Sequence, residues 1–461
     1  MILRHFYNDA LAQASYLIAC AATEEAIVID PLRDISPYLA MAESLGVRIT
    51  AVTETHIHAD YLSGTRELSA ATGAQMYLSD EGDADWKYAF ASEPKVTLLK
   101  DGDVIKIGNL SLKALHTPGH TPEHLSFLLT DHATSELPHS LFTGDFVFAG
   151  DVGRPDLLER AANFKGTMEA GARVLFGSIQ KIRSLSDSVL NWPGHGAGSA
   201  CGKSLGGSPV TTLGYERQTN WAFQVGSEQA FVDEVLAGQP LPPRYFKMMK
   251  MLNKQGPKVL GPQGPLAQLE TPQGRLVDIR PHAAIRAEGL PSAVAIPLGK
   301  GLVNWAGWLL DYEQPVTLIA LSQSDADQAV RAMRLIGLDV VAGWMTLDAL
   351  KLDTTGYAAA EVSELTDRDY VLDVREPREW GSGHFRDAHS VPLGLLPDHL
   401  DELPRDRRIV VHCAAGGRSL TAASLLREAG FTNVAEIRRG MAAFDPSQLR
   451  TEDREPSTTS L

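Results

Sequence analysis

The chain of 461 residues is 44% hydrophobic and 21% charged, an ordinary globular composition that excludes a disordered or fibrous protein. Its length corresponds to about three domains. A formal charge of −15 argues against nucleic acid or an anionic membrane surface as the main partner, but leaves room for an anionic small substrate held by local basic residues.

In chain order, Tyr16 to Ala19 and Ala26 to Ile29 read as strands around a polar turn. That pairing explains the apolar stretch Ala14 to Ala22 better than a signal peptide does, because Asp9 precedes it and a second strand follows. No uninterrupted apolar run approaches the roughly 18 residues of a membrane span. Pro37 to Leu45 reads as a helix, and Val47 to Val52 as a strand leading into Thr55-His-Ile-His. Strands follow at Val96–Leu99, Val104–Ile107 and Leu110–Leu115, divided by Asp-Gly and Gly-Asn turns, and Leu125–Leu129 and Leu141–Thr143 continue the pattern. A helix is expected over Glu216 to Leu236, before the Pro-rich breaks at 239–243 and 256–265.

Beyond the breaks lies an internal repeat. Asp278-Ile-Arg280 matches Asp373-Val-Arg375, Ile296-Pro-Leu-Gly299 matches Val391-Pro-Leu-Gly394, and Ala329–Leu338 matches Ala422–Phe431. Copies of this length imply two related small α/β domains rather than a solenoid. The expected divisions are 1–250, 258–352 and 356–447, with a polar, mobile tail over 448–461.

Histidines and carboxylates recur in Gly- and Pro-bounded loops after apolar runs: Thr55-His56-Ile-His58-Ala-Asp60, His116-Thr-Pro-Gly-His120, Thr143-Gly-Asp145 and Trp192-Pro-Gly-His195. Strand alternation sends His56, His58 and Asp60 to one side, where they can converge on one metal. This set resembles the metallo-β-lactamase fold superfamily over roughly residues 1 to 240. The resemblance implies an αββα sandwich. In its dinuclear members one metal takes the residues matching His56, His58 and His120, and the residue matching Asp145 bridges. The other takes those matching Asp60, the next histidine and His195. Tyr61 stands where that next histidine belongs, so one metal is expected.

Within the superfamily the chain is most similar to the persulfide dioxygenases, which implies mononuclear non-haem Fe(II) on His56, His120 and Asp145. Two histidines and a carboxylate with open positions suit Fe(II) activating O₂. His58, Asp60 and His195 then orient the ligands. Arg154, in Gly153-Arg154-Pro-Asp156, is either a substrate-anion clamp or the partner of Asp156. His116, His124 and His139 receive no metal role.

The three cysteines, Cys20, Cys201 and Cys413, are too few for a disulfide framework and suit a reducing cytoplasm. Ile409-Val-Val-His-Cys413-Ala-Ala-Gly416-Gly417-Arg418-Ser419 reads as strand, tight loop and helix. Backbone N–H groups and Arg418 there can stabilise a thiolate or an oxyanion, chemistry shared with cysteine phosphatases. With Asp373-Val-Arg375 and Val391-Pro-Leu, residues 360 to 445 resemble a rhodanese domain. The resemblance makes Cys413 the persulfide carrier, with Gly416, Gly417 and Arg418 forming its anion cradle. In the first copy Ala320 falls opposite Cys413 and Asp325 opposite Arg418, so that copy is degenerate. Cys201, in a Gly-rich segment after His195, is either a small residue of a tight loop or a thiol that accepts sulfur beside the metal.

The order of domains resembles fused persulfide dioxygenase–sulfurtransferases. It implies oxidation of a low-molecular-weight thiol persulfide by O₂ to sulfite, and sulfur transfer to or from thiosulfate, in sulfide detoxification. A homo-oligomer without nucleic acid or membrane partners is expected. Two rivals are a mononuclear zinc hydrolase of a glutathione thioester using His56, His58, His120 and Asp145, and a sulfur-relay protein whose metal domain is not catalytic.

Overall fold

The computed structural model describes residues 1–157, 159 and 166–451. It divides into two compact units, Met1–Gln263 with Arg334–Gly337, and Gly264–Met333 with Leu338–Leu461. Among the described residues no helix is long and apolar enough to cross a membrane.

The first unit holds two six-stranded sheets. One runs in chain order through β1 (Ile2–Asn8), β2 (Gln13–Cys20), β3 (Glu25–Ile29), β4 (Arg48–Thr53), β5 (Gln75–Ser79) and β6 (Val96–Leu99). The other contains β7 (Val104–Ile107), β8 (Leu110–His116), β9 (Leu125–Asp131), β10 (Ser140–Gly144), β11 (Leu190–Pro193) and β12 (Thr211–Thr212), also in sequential order. Alternation explains how they stack. Tyr16, Ile18, Ile27 and Ile29 meet Ile105, Leu112, Phe127 and Phe142 between the sheets. The intervening Leu17, Ala19 and Val28 face outward onto Tyr38 and Ala42 of the Ser36–Leu45 helix. On the far side Leu128 and Leu141 pack against Ala172, Leu175 and Ile179 of the Thr167–Ile182 helix. The result is the αββα sandwich.

One expected helix is broken. The segment 216–236 forms three pieces, Leu213–Thr219, Trp221–Gln224 and Glu228–Leu236. Asn220 and Ser227 are the reason: their side chains accept the N–H groups of Ala222 and Ala230, starting a new helix at each.

The second unit contains the repeat. β13 (Arg275–Asp278), β14 (Ala293–Ala295), β15 (Val316–Ile319) and β16 (Val341–Met345) form a parallel sheet in the order β14-β13-β15-β16. β17 (Ala358–Ala359), β18 (Tyr370–Asp373), β20 (Ala388–Ser390), β21 (Ile409–His412) and β22 (Val434–Glu436) form another, ordered β17-β22-β21-β18-β20. Read from the other edge, the second order repeats the first and adds β17. Even the register repeats, with Asp278 beside Ile319 and Asp373 beside His412. Ala320 and Cys413 therefore occupy equivalent positions, each one residue past its strand. Of the expected 448–461 tail, β23 (Leu449–Arg450) pairs with β19 (His384–Phe385), and 452–461 lie outside the described residues.

Candidate metal centre and sulfur loop

The histidine and carboxylate loops all leave strand C-termini: His56 to Asp60 follow β4, His120 follows β8, Asp145 follows β10 and His195 follows β11. Gly153 makes the packing possible behind Asp145, since a Cβ there would lie 1.8 Å from the Asp145 carbonyl oxygen.

His56, His120 and Asp145 are buried and offer ligand atoms within 4.8 Å of one another. Asp145 Oδ2 lies 3.9 Å from His56 Nε2 and 3.5 Å from His120 Nε2. The far nitrogens are fixed. His120 Nδ1 donates to the Arg154 carbonyl at 2.9 Å, which leaves a lone pair on Nε2. Thr55 Oγ1 donates to Asp30 Oδ2, so at 2.9 Å it accepts from His56 Nδ1 and leaves Nε2 free in the same way. His56 Nε2 and Asp145 Oδ2 are buried without a hydrogen-bond partner, as metal-facing atoms should be. Burial and the surrounding imidazoles push His56 far below its ordinary range, and burial lowers His120, so both are neutral donors. Burial opposes ionisation of Asp145, but His195 and the other imidazoles outweigh it and hold the carboxyl well below the usual range. A divalent metal fits this donor set.

A second cluster, Asp60, His195 and Cys201, lies alongside. His195 bridges two carboxylates, Nδ1 at 2.6 Å from Asp145 Oδ1 and Nε2 at 2.6 Å from Asp60 Oδ2. Burial, then Asp60 and Asp145, raise the Cys201 thiol well above its ordinary range, which keeps it protonated. His58 Nε2 contacts Asp30 Oδ1 at 3.1 Å, while its Nδ1 is buried without a hydrogen-bond partner. Tyr61 turns its hydroxyl to the Asp30 carbonyl at 3.3 Å, and burial pushes that phenol well above its ordinary range.

Of the two roles offered for Arg154, the structure contains the ion pair with Asp156. Its buried guanidinium meets Asp156 at 2.7 and 2.8 Å and the Ala200 carbonyl at 3.1 Å. These contacts engage Nε, Nη1 and Nη2 with one bond each. His124 is buried against His56, with its Nδ1 at 2.9 Å from Thr117 Oγ1. Sequence reasoning missed Asp30, which accepts the Thr55 N–H at 2.6 Å and positions both Thr55 and His58. Its signal was a carboxylate ending an apolar strand, here at φ +53°.

In the second unit Cys413 is buried, and Gly416 N–H donates to its Sγ at 3.1 Å. Gly416 sits at φ +89°, where a Cβ would lie 2.0 Å from the Arg438 carbonyl oxygen. Gly417 opens the Gly417–Glu428 helix. Arg418 is bidentate with Glu379 at 2.6 Å on both arms, a partner the sequence did not reveal.

A metallo-beta-lactamase superfamily model matches residues 8–195, and a rhodanese-like domain model matches 358–446. The first copy of the repeat is outside both matches. A solved metallo-beta-lactamase from Staphylococcus aureus subsp. aureus COL is 41% identical with a TM-score of 0.68, covering 75% of this chain and 99% of that one. Hydroxyacylglutathione hydrolase from Rhodospirillum rubrum is 32% identical over 39% of this chain, which spans 60% of that relative's length. Persulfide dioxygenase ETHE1 from Bos taurus is 28% identical over 50% of this chain and 78% of its own.

Proposed function

The chain belongs to the metallo-beta-lactamase superfamily, and we propose that it is a non-haem iron persulfide dioxygenase joined to a rhodanese sulfurtransferase. The observation that carries this reading is the convergence of His56 Nε2, His120 Nε2 and Asp145 Oδ2, with the Tyr61 hydroxyl on the Asp30 carbonyl. Two imidazoles and one carboxylate are the donor set of iron enzymes that use O₂. The similarity to a persulfide dioxygenase supports it.

Bound ferrous iron would supply O₂ activation and an anchoring point for a persulfide sulfur. In the overall reaction a thiol persulfide, O₂ and water give the thiol, sulfite and two protons. The outer sulfur loses four electrons, O₂ takes them, and the S–S bond breaks. His195 holds Asp145 through Oδ1, and the Arg154 carbonyl and Thr55 hydroxyl fix the imidazole tautomers.

At the second site the Cys413 thiolate attacks the outer sulfur of thiosulfate. A Cys413 persulfide forms as sulfite leaves with the electron pair of the broken S–S bond; sulfite reverses the step and regenerates thiosulfate. The Gly416 N–H and the helix N-terminus receive the negative sulfur.

The alternative is a zinc hydrolase of a glutathione thioester. It is favoured by the buried, unpartnered His58 Nδ1, a further nitrogen donor, and by similarity to a hydroxyacylglutathione hydrolase. Anaerobic purification with metal quantification, then O₂ uptake on glutathione, coenzyme A and bacillithiol persulfides, separates the two. Iron, O₂ consumption and sulfite are expected. Zinc with thioester cleavage and no O₂ consumption would overturn the dioxygenase reading.

A further inference from the structure

The helix that opens at the Cys413 loop is seated along its length on the first copy of the repeat. Leu420 and Ala423 pack with Ile285 and Ala295 of that copy, and with Tyr357 of their own. Ser424 Oγ accepts the Ala295 N–H at 2.8 Å, and Glu428 is bidentate with Arg275 at 2.8 and 2.6 Å. These contacts amount to an interface between repeats.

At the loop end the contact changes character. Arg286, on the short His282–Ala287 helix of the first copy, donates Nη2 to the Gly416 carbonyl at 2.6 Å. It also meets Glu436 through Nε and Nη2 at 2.6 and 2.9 Å. Ser419 Oγ lies 3.0 and 3.1 Å from the Gly416 carbonyl and Glu436 Oε2, closing the network. Gly416 is the residue whose N–H reaches the Cys413 sulfur and whose φ of +89° is strained for other residues. A guanidinium on its carbonyl restrains the orientation of the turn that aims that N–H. An ion pair that merely joined the copies would stop at Glu436. On the same helix His282 is exposed, with Nε2 3.7 Å from where a Cβ on Gly417 would sit.

We propose that the first copy, although it lacks the cysteine, completes the sulfur site of the second. Arg286 is a positioning residue for the Gly416 turn. His282 forms the rim over Gly417 that an anionic sulfur donor passes. This inference rests on Cys413 being the sulfur carrier.

The test uses the full-length protein with thiosulfate as donor and cyanide as acceptor. Sulfur loading in a single turnover is followed as the mass gain of one sulfur atom at Cys413. R286Q is expected to slow loading and kcat about tenfold or more without moving KM, the signature of a misplaced group rather than a lost binding contact. R286K keeps a cation beside buried Glu436, so the fold is protected, but lysine has no planar fork to span Glu436 and the Gly416 carbonyl. It should load as slowly as R286Q. H282A, at an exposed site, should raise KM for thiosulfate severalfold with kcat retained. O₂ uptake on persulfide should be unchanged in all three. Folded R286K that loads at the wild-type rate, with H282A at the wild-type KM, overturns the inference and leaves Cys413 as carrier. A wild-type chain that takes no sulfur at Cys413, or a Cys413→Ser chain that still gains a sulfur atom elsewhere, overturns the underlying reading instead.

Discussion

Asp145 divides its oxygens between two tasks, Oδ1 against His195 and Oδ2 toward the two imidazoles. Asp145→Ala should therefore lose bound metal and O₂ uptake together, while Cys413 still takes sulfur from thiosulfate. Metal analysis beside a sulfur-transfer assay checks this, and persulfide oxidation surviving in the variant would contradict it. A pH effect belongs to the other unit. Burial pushes His412, next to Cys413, down to about 4 from 6.5. Between those values the unfolded chain binds a proton that the folded chain refuses, so stability falls as pH falls, by roughly 3 kcal/mol across the window. His412→Asn should flatten that slope in denaturant melts between pH 6.5 and 4.

Strands were the legible elements, because alternation and turn chemistry write them locally. The repeat was legible too, since Asp-x-Arg and Pro-Leu-Gly recur at matched places. The helix over 216–236 was misjudged as continuous, because Asn220 and Ser227 act as caps only when their side chains turn back on the chain. Asp30, Glu379 and Arg286 were invisible for a different reason: each works on a partner far along the chain. Asp30 reaches Thr55 because the parallel β3 and β4 lie side by side, and Glu379 reaches Arg418 across the second sheet's end. The convergence of His56, His120 and Asp145 on one candidate metal cluster was legible because loops after successive strands carried them in order. Gly416→Ala tests the loop as an element. The new methyl meets the Arg438 carbonyl at a φ that L-residues avoid. Sulfur loading at Cys413 should collapse while O₂ uptake is retained; loading at the native rate would show that the turn tolerates another shape.

At the scale of the whole chain, one polypeptide joins a centre proposed to make sulfite to a site proposed to consume it. Tethering raises the local concentration of one site's product at the other. An equimolar mixture of purified Asp145→Ala and Cys413→Ser chains should form thiosulfate from persulfide more slowly than wild type, with a deficit that widens on dilution. A mixture that equals wild type at every dilution would remove any advantage of fusion. The acidic charge suits this arrangement only if anion recognition is local, as proposed for the Cys413 loop.

The buried Asp–Arg pair occurs twice, Arg280 on Asp278 at 2.6 Å and Arg375 on Asp373 at 2.7 Å, each arginine also tying down a nearby carbonyl. Only one of the two follows a sheet that ends in a cysteine. The molecule thus carries its own internal control. What the pair contributes where no thiol is present measures architecture alone, and any excess in the other repeat measures what the same bond gives to chemistry.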